Sequence, residues 1–211
     1  MKTKIALVNG GSRGLRKEMI LATKGTLLLV AAIVLAATSF GQTTWTTDQN
    51  HSQLHFSAMH FGISHIEGVF KEFKVTMASE KEDFSDARVE MVAQVTSINT
   101  QLEMRDNDLR SKSWFDAEQF PVITVKSTSF KKVKGKNYRL AGNITLHGVT
   151  APNVFNVVFN GWAVTMTKKK TAGFTVTGKL KRSDFNLGGT PLETGVSNEI
   201  EVWANVEIGK N

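Results

Sequence analysis

Cysteine is absent from the 211-residue chain, which excludes a disulfide framework, a thiol nucleophile and thiolate metal sites. This absence is compatible with an oxidising compartment. Proline occurs three times and tyrosine once. The sequence shows no low-complexity linker and no internal repeat, and we expect one domain with a sizeable core after any leader is removed.

A glycine-rich stretch at residues 9–16, "NGGSRGLR", resembles the opening of short-chain dehydrogenases. Those enzymes carry a glycine where Arg16 stands, and they transfer protons through a tyrosine and a lysine four residues later. The single tyrosine, Tyr138, is followed four residues on by Gly142. The segment after the glycines also lacks the pattern of a second strand. We therefore reject an oxidoreductase.

An uncharged apolar run at residues 27–37 has the length of a signal-peptide core and follows two lysines. It is shorter than the roughly 20 residues that span a bilayer. Small residues stand at the minus-three and minus-one positions of a cut between Gly41 and Gln42. We expect residues 1–41 to be an N-terminal extension plus signal peptide, with Met19 as an alternative start. Cleavage would release a periplasmic or secreted chain; an uncut membrane anchor is the alternative.

The formal net charge of +7 lies mostly in that leader. Residues 1–41 contain 6 of the 26 basic and 1 of the 19 acidic residues, which leaves 20 and 18, a net of +2, for residues 42–211. The lysine clusters at 131–136 and 168–170 lie between apolar runs and are explained best as solvated hairpin turns. We therefore predict no nucleic-acid partner.

Alternation of apolar and polar residues with period two dominates residues 42–211. It is clearest at residues 200–208 and recurs at 138–146 and 174–180. Residues 154–166 are apolar on both faces, which predicts a strand covered on both sides. We expect about eight antiparallel strands, closed into a barrel or folded as a sandwich because open edges invite aggregation.

One segment, residues 100–120, breaks this rhythm and is rich in helix formers, with Pro121 at its end. The all-β domain should therefore carry a short helical insertion around residues 101–119. Leu102, Leu109 and Phe115 are predicted to lie on one side of it.

Four separated segments, in matching order, resemble the YceI-like family of periplasmic, lipocalin-like polyisoprenoid-binding proteins. They are residues 45–73, 97–127, 140–152 and 179–189, within a match from about Trp45 to Ile208. Asp108 and Asn186 depart from the histidine and glycine usual in the family. The resemblance implies an extended eight-stranded antiparallel lipocalin-like barrel around an elongated apolar pocket for an isoprenoid chain.

Candidate ligand contacts follow from that resemblance and from the strand faces. Head-group candidates are Arg105, Asp106 and Arg182, for which a structural ion pair or turn hydrogen bonds are the alternative. We expect no cofactor or metal besides the bound lipid. The candidates for the apolar wall, each of which could instead be ordinary core, are Leu54, Phe56, Phe61, Phe70, Phe73, Leu109, Phe115, Val176, Leu180, Ile200 and Val202.

Four of the five histidines crowd one stretch and raise a rival hypothesis of a metal site. The region has a strand pattern, in which four residues span roughly 13 Å. His51 and His55 could then share an ion only through a bulge, and His60 or His65 would have to join across a hairpin. Hydrogen-bonded histidines at strand ends are the preferred interpretation of His51 and His60.

Hydrolase chemistry has no better support. The neighbouring pairs His51–Ser52 and Ser183–Asp184 would point to opposite faces of a strand, so we expect no enzyme. The sequence predicts an exported β-barrel, residues 42–211. The family resemblance implies that this barrel binds a quinone or polyprenyl lipid for transport, storage or sensing. Transient membrane contact and a homodimer both stay open. The alternative is an exported structural or stress-interaction barrel with a packed interior; a cavity through the barrel would favour the carrier.

Overall fold

The computed structural model describes residues 43–166 and 168–210. They belong to one compact unit, Gln42–Asn211. The extension, signal peptide and cleavage site predicted within residues 1–41 lie outside the described residues. Within the described ranges, no helix is long and apolar enough to cross a membrane.

The strands of the described residues form one antiparallel sheet. The first six are β1 Thr43–Thr47, β2 Gln53–His60, β3 Ser64–Phe70, β4 Phe73–Ser79, β5 Arg88–Gln94 and β6 Ile98–Asn99. The longer ones follow as β7 Val122–Lys134, β8 Asn137–Leu146, β9 Val149–Val164, β10 Lys170–Lys181 and β11 Val196–Lys210. Two helices, α1 Glu103–Arg110 and α2 Pro191–Thr194, lie between strands.

The eleven strands occupy eight positions around a closed barrel. Three of these positions each hold two short strands in succession, namely β1 with β2, β3 with β4, and β5 with β6. β1 and β2 both pair with β11, on either side of a 3-10 turn at Gln49–His51. β4 pairs with β1 while β3 pairs with β2, and β5 and β6 continue the series. Since β1 joins β11, the ring is complete. The predicted eight-stranded antiparallel barrel is confirmed.

Antiparallel order places successive connections at opposite ends of the barrel. We call one the open end; it comprises the turns at 61–63 and 147–148 and the segments 100–121 and 182–195. We call the other the closed end; it comprises the loop 80–87 and the hairpin turns at 135–136 and 165–169.

The alternation predicted from sequence is present on β8 and β11, where Tyr138, Leu140, Ile144, Val206 and Ile208 are buried. On β9 the prediction of a strand covered on both sides is wrong. Its outward-facing valines at 154 and 158 are exposed. The barrel is a single layer at this strand, and its outer face meets solvent.

The helical insertion is confirmed as α1, followed by turns that reach Phe120. Leu109 and Phe115 pack against the core as predicted. Leu102 does not and is 45% exposed. It precedes α1 in an extended conformation, with φ −137° and ψ 105°, so the helical spacing that would align it with Leu109 does not apply.

An aromatic cluster closes the barrel beneath the loop 80–87. Phe84 is completely buried. Its ring centroid lies 5.7 Å from that of Trp45, 5.1 Å from Trp162 and 5.2 Å from Phe174. The Tyr138 hydroxyl donates to the carbonyl oxygen of Asp83 at 2.6 Å and so fixes the loop to β8. Large buried rings therefore fill the space between the strands at this end of the barrel.

Candidate functional site

An apolar cavity of about 340 Å³ lies inside the barrel near the open end. Side chains of β2, β7, β8, β10 and β11 form its wall, and the segments 100–121 and 182–195 cap it. A second cavity of about 110 Å³ continues toward the closed end. The two adjoin, since both are lined by Leu54, Met91, Val125, Phe155 and Val202.

Two glycines let aromatic rings pack directly against the wall. A Cβ atom at Gly68 would come within 2.7 Å of Phe56 Cε1 and 2.9 Å of Thr100 Cγ2. At Gly178 it would overlap the ring of Phe155. Both rings line the cavity. Glycine at these two positions therefore determines how much of the barrel interior stays open.

Ten of the eleven predicted wall residues border the cavities. Those at the larger one are Leu54, Phe56, Phe70, Leu109, Phe115, Leu180, Ile200 and Val202, and those found only at the smaller one are Phe73 and Val176. Whether they contact a ligand stays a prediction.

Phe61 is the predicted wall residue that borders neither cavity. It begins the turn at 61–63 with φ 47° and is 67% exposed. Its ring lies against Gly195, where a Cβ atom would come within 2.6 Å of Phe61 Cζ. The left-handed backbone of this turn directs the side chain out of the alternation that β2 establishes.

Arg182 borders the larger cavity but is itself held by the protein. It is 2% exposed, and burial lowers the pKa of its guanidinium. Nε donates to Ser197 O at 3.0 Å, Nη1 to the carbonyls of Leu187 and Gly189, and Nη2 to Val196 O at 2.9 Å. A further bond runs from Nη2 to the Thr194 hydroxyl at 3.0 Å. All five guanidinium donors are thereby used.

Arg105 and Asp106 have different surroundings. Asp106 is buried and off the cavity wall, where its Oδ1 accepts from the Thr100 N–H at 2.8 Å and the Thr100 hydroxyl at 2.6 Å. Arg105 borders the cavity and donates Nε to Thr100 Oγ1 at 2.8 Å and Nη2 to Thr100 O at 2.7 Å. Asp106 therefore holds the backbone at Thr100. This agrees with the alternative given for the head-group candidates, in which they form turn hydrogen bonds.

The histidines separate on folding rather than forming one cluster. His51 Nδ1 lies 3.0 Å from Asp48 Oδ2, and this hydrogen bond raises the pKa of His51 and lowers that of Asp48. Glu207 completes a group whose potential ligand atoms lie within 4.8 Å of one another. His55 stacks on Trp203 with ring centroids 5.0 Å apart, and His65 Nδ1 lies 3.0 Å from Ser57 Oγ.

Several residues that line the larger cavity were not predicted as wall residues from the sequence. Ile144 and Leu146 line the larger cavity, and the alternation along β8 was a sufficient signal for them. Trp114 and Asp108 lie in the helical insertion, where no periodicity indicates which side chains turn inward. Asp108 was noticed only as a departure from the family's usual histidine. With Thr100 and Arg105 it contributes polar groups to the cavity wall at the open end.

A closed antiparallel barrel around an apolar cavity defines the class of this protein. The chain belongs to the YceI-like domain family, whose model matches residues 45–208. A UPF0312 protein of Photorhabdus laumondii is 33% identical over 175 residues, 82% of this chain and 88% of that protein. Protein YceI of Salmonella arizonae is 31% identical over 193 residues, 92% of this chain and 97% of that protein.

Solved structures share the fold. Burkholderia cenocepacia BcnA superposes with a TM-score of 0.69 at 21% identity, over 76% of this chain and 98% of that one. A polyisoprenoid-binding domain from Saccharophagus degradans superposes with a TM-score of 0.57 at 15% identity, over 81% of this chain and 100% of that one. Both likenesses concern the fold alone.

Proposed function

We propose that the barrel binds a long-chain isoprenoid, of quinone or polyprenyl type, and carries, stores or senses it in the periplasm after removal of the leader. The observation that carries this proposal is the pair of adjoining cavities along the barrel, whose walls are mainly apolar. A packed interior, the alternative for an exported structural barrel, would leave no such space. The structural likeness to a polyisoprenoid-binding domain supports the same ligand class.

The energetics favour binding without reaction. Each methylene that leaves water for an apolar wall contributes about 0.8 kcal/mol. A few isoprene units in the cavity therefore give substantial affinity, offset in part by the ordering of a flexible chain. Binding rather than catalysis is the activity we propose.

Arg105 is the group we assign to the polar end of the ligand. Two of the five N–H donors of Arg105 are used by Thr100, so the guanidinium keeps donors for a quinone carbonyl or a phosphate. Arg182 has its donors occupied and is better explained as a structural residue.

Native mass spectrometry tests the proposal directly. The mature chain, residues 42–211, is purified without detergent from a bacterial periplasm, and organic extraction follows. We expect a discrete added mass that is released as a prenyl lipid. If the chain carries no added mass and also takes up no added quinone or polyprenyl lipid, the proposal is wrong.

A further inference from the structure

The closed end carries a concentration of positive charge that lies away from the residues lining the larger cavity. The loop 80–87, the hairpins 131–137 and 164–170 and the end of β11 bring together nine lysines: Lys81, Lys131, Lys132, Lys134, Lys136, Lys168, Lys169, Lys170 and Lys210. With the four acidic residues at positions 80–86, the net charge there is +5. The rest of residues 42–211 has 11 basic and 14 acidic residues, a net of −3. The barrel is therefore polarised, with its positive end opposite the open end, near which the larger cavity lies.

Topology creates this cluster, because the two lysine-rich hairpins are far apart in sequence but β8 and β9 are neighbours in the sheet. Lys136 Nζ donates to the carbonyl of Asn160 at 3.0 Å, which ties one hairpin to the strand that leads into the other. Each cluster taken alone is an ordinary solvated turn. Together they form one extended basic surface.

Few of these charges are neutralised locally. Lys170 Nζ lies 3.0 Å from Glu82, and Lys132 Nζ lies 3.8 Å from Asp83. No carboxylate in the described part of the chain comes within 4.0 Å of the remaining hairpin lysines, which are exposed: Lys131, Lys134, Lys136, Lys168 and Lys169. These side chains are available to an external anion.

Three apolar side chains stand among the lysines. Val133 occupies a register irregularity in β7 and is 65% exposed. Val164 at the end of β9 is 72% exposed, and Met166 in the following turn is fully exposed. Isolated exposed valines are ordinary on a barrel, but side chains at the tips of basic hairpins can enter a lipid surface that attracts the lysines.

We propose that the closed end docks on an anionic lipid bilayer, with the lysines at the phospholipid headgroups and Val133, Val164 and Met166 in the interface. We choose this partner because its negative charge complements the lysines. Each lysine near an anionic lipid surface should raise the affinity about fivefold. Nucleic acid is disfavoured because the hairpins 131–137 and 164–170 contain neither arginine nor an aromatic residue. Docking in this orientation leaves the open end of the barrel directed away from the bilayer.

Sedimentation with vesicles tests the docking and does not depend on whether the cavity holds lipid. The mature chain is mixed with phosphatidylcholine vesicles that either contain or lack phosphatidylglycerol. We expect binding only to the anionic vesicles, weakened by salt because the Debye length falls from about 10 Å at 0.1 M to about 3 Å at 1 M. Equal binding to both vesicles, or to neither, overturns the proposal.

Charge-matched variants locate the surface. Changing Lys134, Lys136, Lys168 and Lys169 together to Gln should weaken binding by several hundredfold, at about fivefold each. The control changes four exposed lysines elsewhere on the barrel, Lys71, Lys74, Lys112 and Lys181, to Gln and should have a much smaller effect. Equal losses in both variants, each verified as folded by circular dichroism, would contradict the assignment.

The apolar contribution is tested by Val133→Ser, Val164→Ser and Met166→Ser in one chain. We expect this variant to bind anionic vesicles at least about tenfold more weakly, since it loses several buried methylenes or methyls at roughly 0.8 kcal/mol each. An unchanged affinity for vesicles, together with equally tight binding of the parent chain to duplex DNA, would identify a polyanion site and refute membrane docking.

Discussion

The ring of Phe155 on β9 lies directly against the Cα of Gly178 on β10, with no space for a side chain between them. Phe155 also belongs to the five residues that border both cavities. The glycine therefore sets the position of a ring at the junction of the two spaces. Any side chain at position 178 must displace Phe155 toward the barrel axis or distort the wall.

Gly178→Val should close the passage between the cavities. We expect the affinity for a long prenyl quinone to fall by about tenfold or more, which corresponds to loss of about two buried methylenes. A quinone with a single isoprene unit, short enough for the larger cavity, should bind almost as before. The measurement is isothermal titration of a series of quinones that differ in chain length.

The matched control for this variant is Thr177→Val, at the next position on β10, where the side chain is exposed. It should leave the affinities unchanged for all chain lengths. If Gly178→Val weakens short and long quinones equally, the variant acts through general distortion of the barrel rather than through the junction.

Arg182→Met should cost about 3 kcal/mol or more in the free energy of unfolding. The substitution keeps an unbranched stem of similar reach and removes five donors, leaving several buried carbonyls without partners at about 1–3 kcal/mol each. Urea unfolding measures it. Arg139→Met, at an exposed arginine of β8, is the control and should stay within about 0.5 kcal/mol.

The same pair of variants decides between the two roles proposed for Arg182. If Arg182 is structural, Arg182→Met should lower the stability of the domain. The fraction of the chain that remains folded should then bind the ligand with unchanged affinity. Wild-type stability combined with weakened lipid binding would instead make Arg182 a head-group contact.

The barrel could be predicted from sequence because its strands are amphipathic, and alternation fixes which face turns inward. What alternation does not encode is whether a second layer covers the outer face. The valines at 154 and 158 suit a strand by their β-branched shape whether they are buried or exposed. Their pattern was therefore mistaken for a strand covered on both sides.

The wall of the cavity was largely predictable for the same reason, since a face chosen correctly on β2, β10 or β11 supplies several residues at once. The positions of residues outside regular strands could not be predicted in this way. Phe61 depends on the left-handed backbone of a turn, and Trp114 on the path of the helical insertion. The role of Arg182 depends on carbonyls of the segment 187–197, which only the folded chain brings around its guanidinium.

Phe84→Ala should destabilise the domain by about 3–5 kcal/mol, because it removes a completely buried ring from the aromatic cluster at the closed end. Thermal or urea unfolding measures the change. Phe61→Ala is a closely matched control: Phe61 also has positive φ, 47° against 56° for Phe84, but is 67% exposed. We expect it to cost less than about 1 kcal/mol. Equal costs would contradict the assignment of the destabilisation to burial of the Phe84 ring.

The Asp48–His51 pair should stabilise the fold within a defined pH window. The pKa of His51 is raised above its ordinary 6.5, mainly by its hydrogen bond to Asp48. Its contribution is therefore complete below pH 6.5 and is lost as the pH rises through the raised value. The pKa of Asp48 is lowered from 3.8, again mainly by this bond. While His51 is protonated, the contribution of Asp48 is therefore complete above pH 3.8 and is lost as the pH falls through the lowered value.

Asp48→Asn should therefore destabilise the domain most at about pH 5 and hardly at all at about pH 9, where His51 is neutral in both proteins. Asparagine keeps the side-chain oxygen that accepts from the Asn50 N–H, so the 3-10 turn itself is preserved. Unfolding by urea across this pH range measures the difference, and NMR titration of His51 should show its pKa returning toward 6.5 in the variant. His51→Gln should reproduce the same pH profile, and the double variant should add little to either. A destabilisation that does not change with pH would mean that the carboxylate acts on the turn alone and that its bond to His51 contributes nothing.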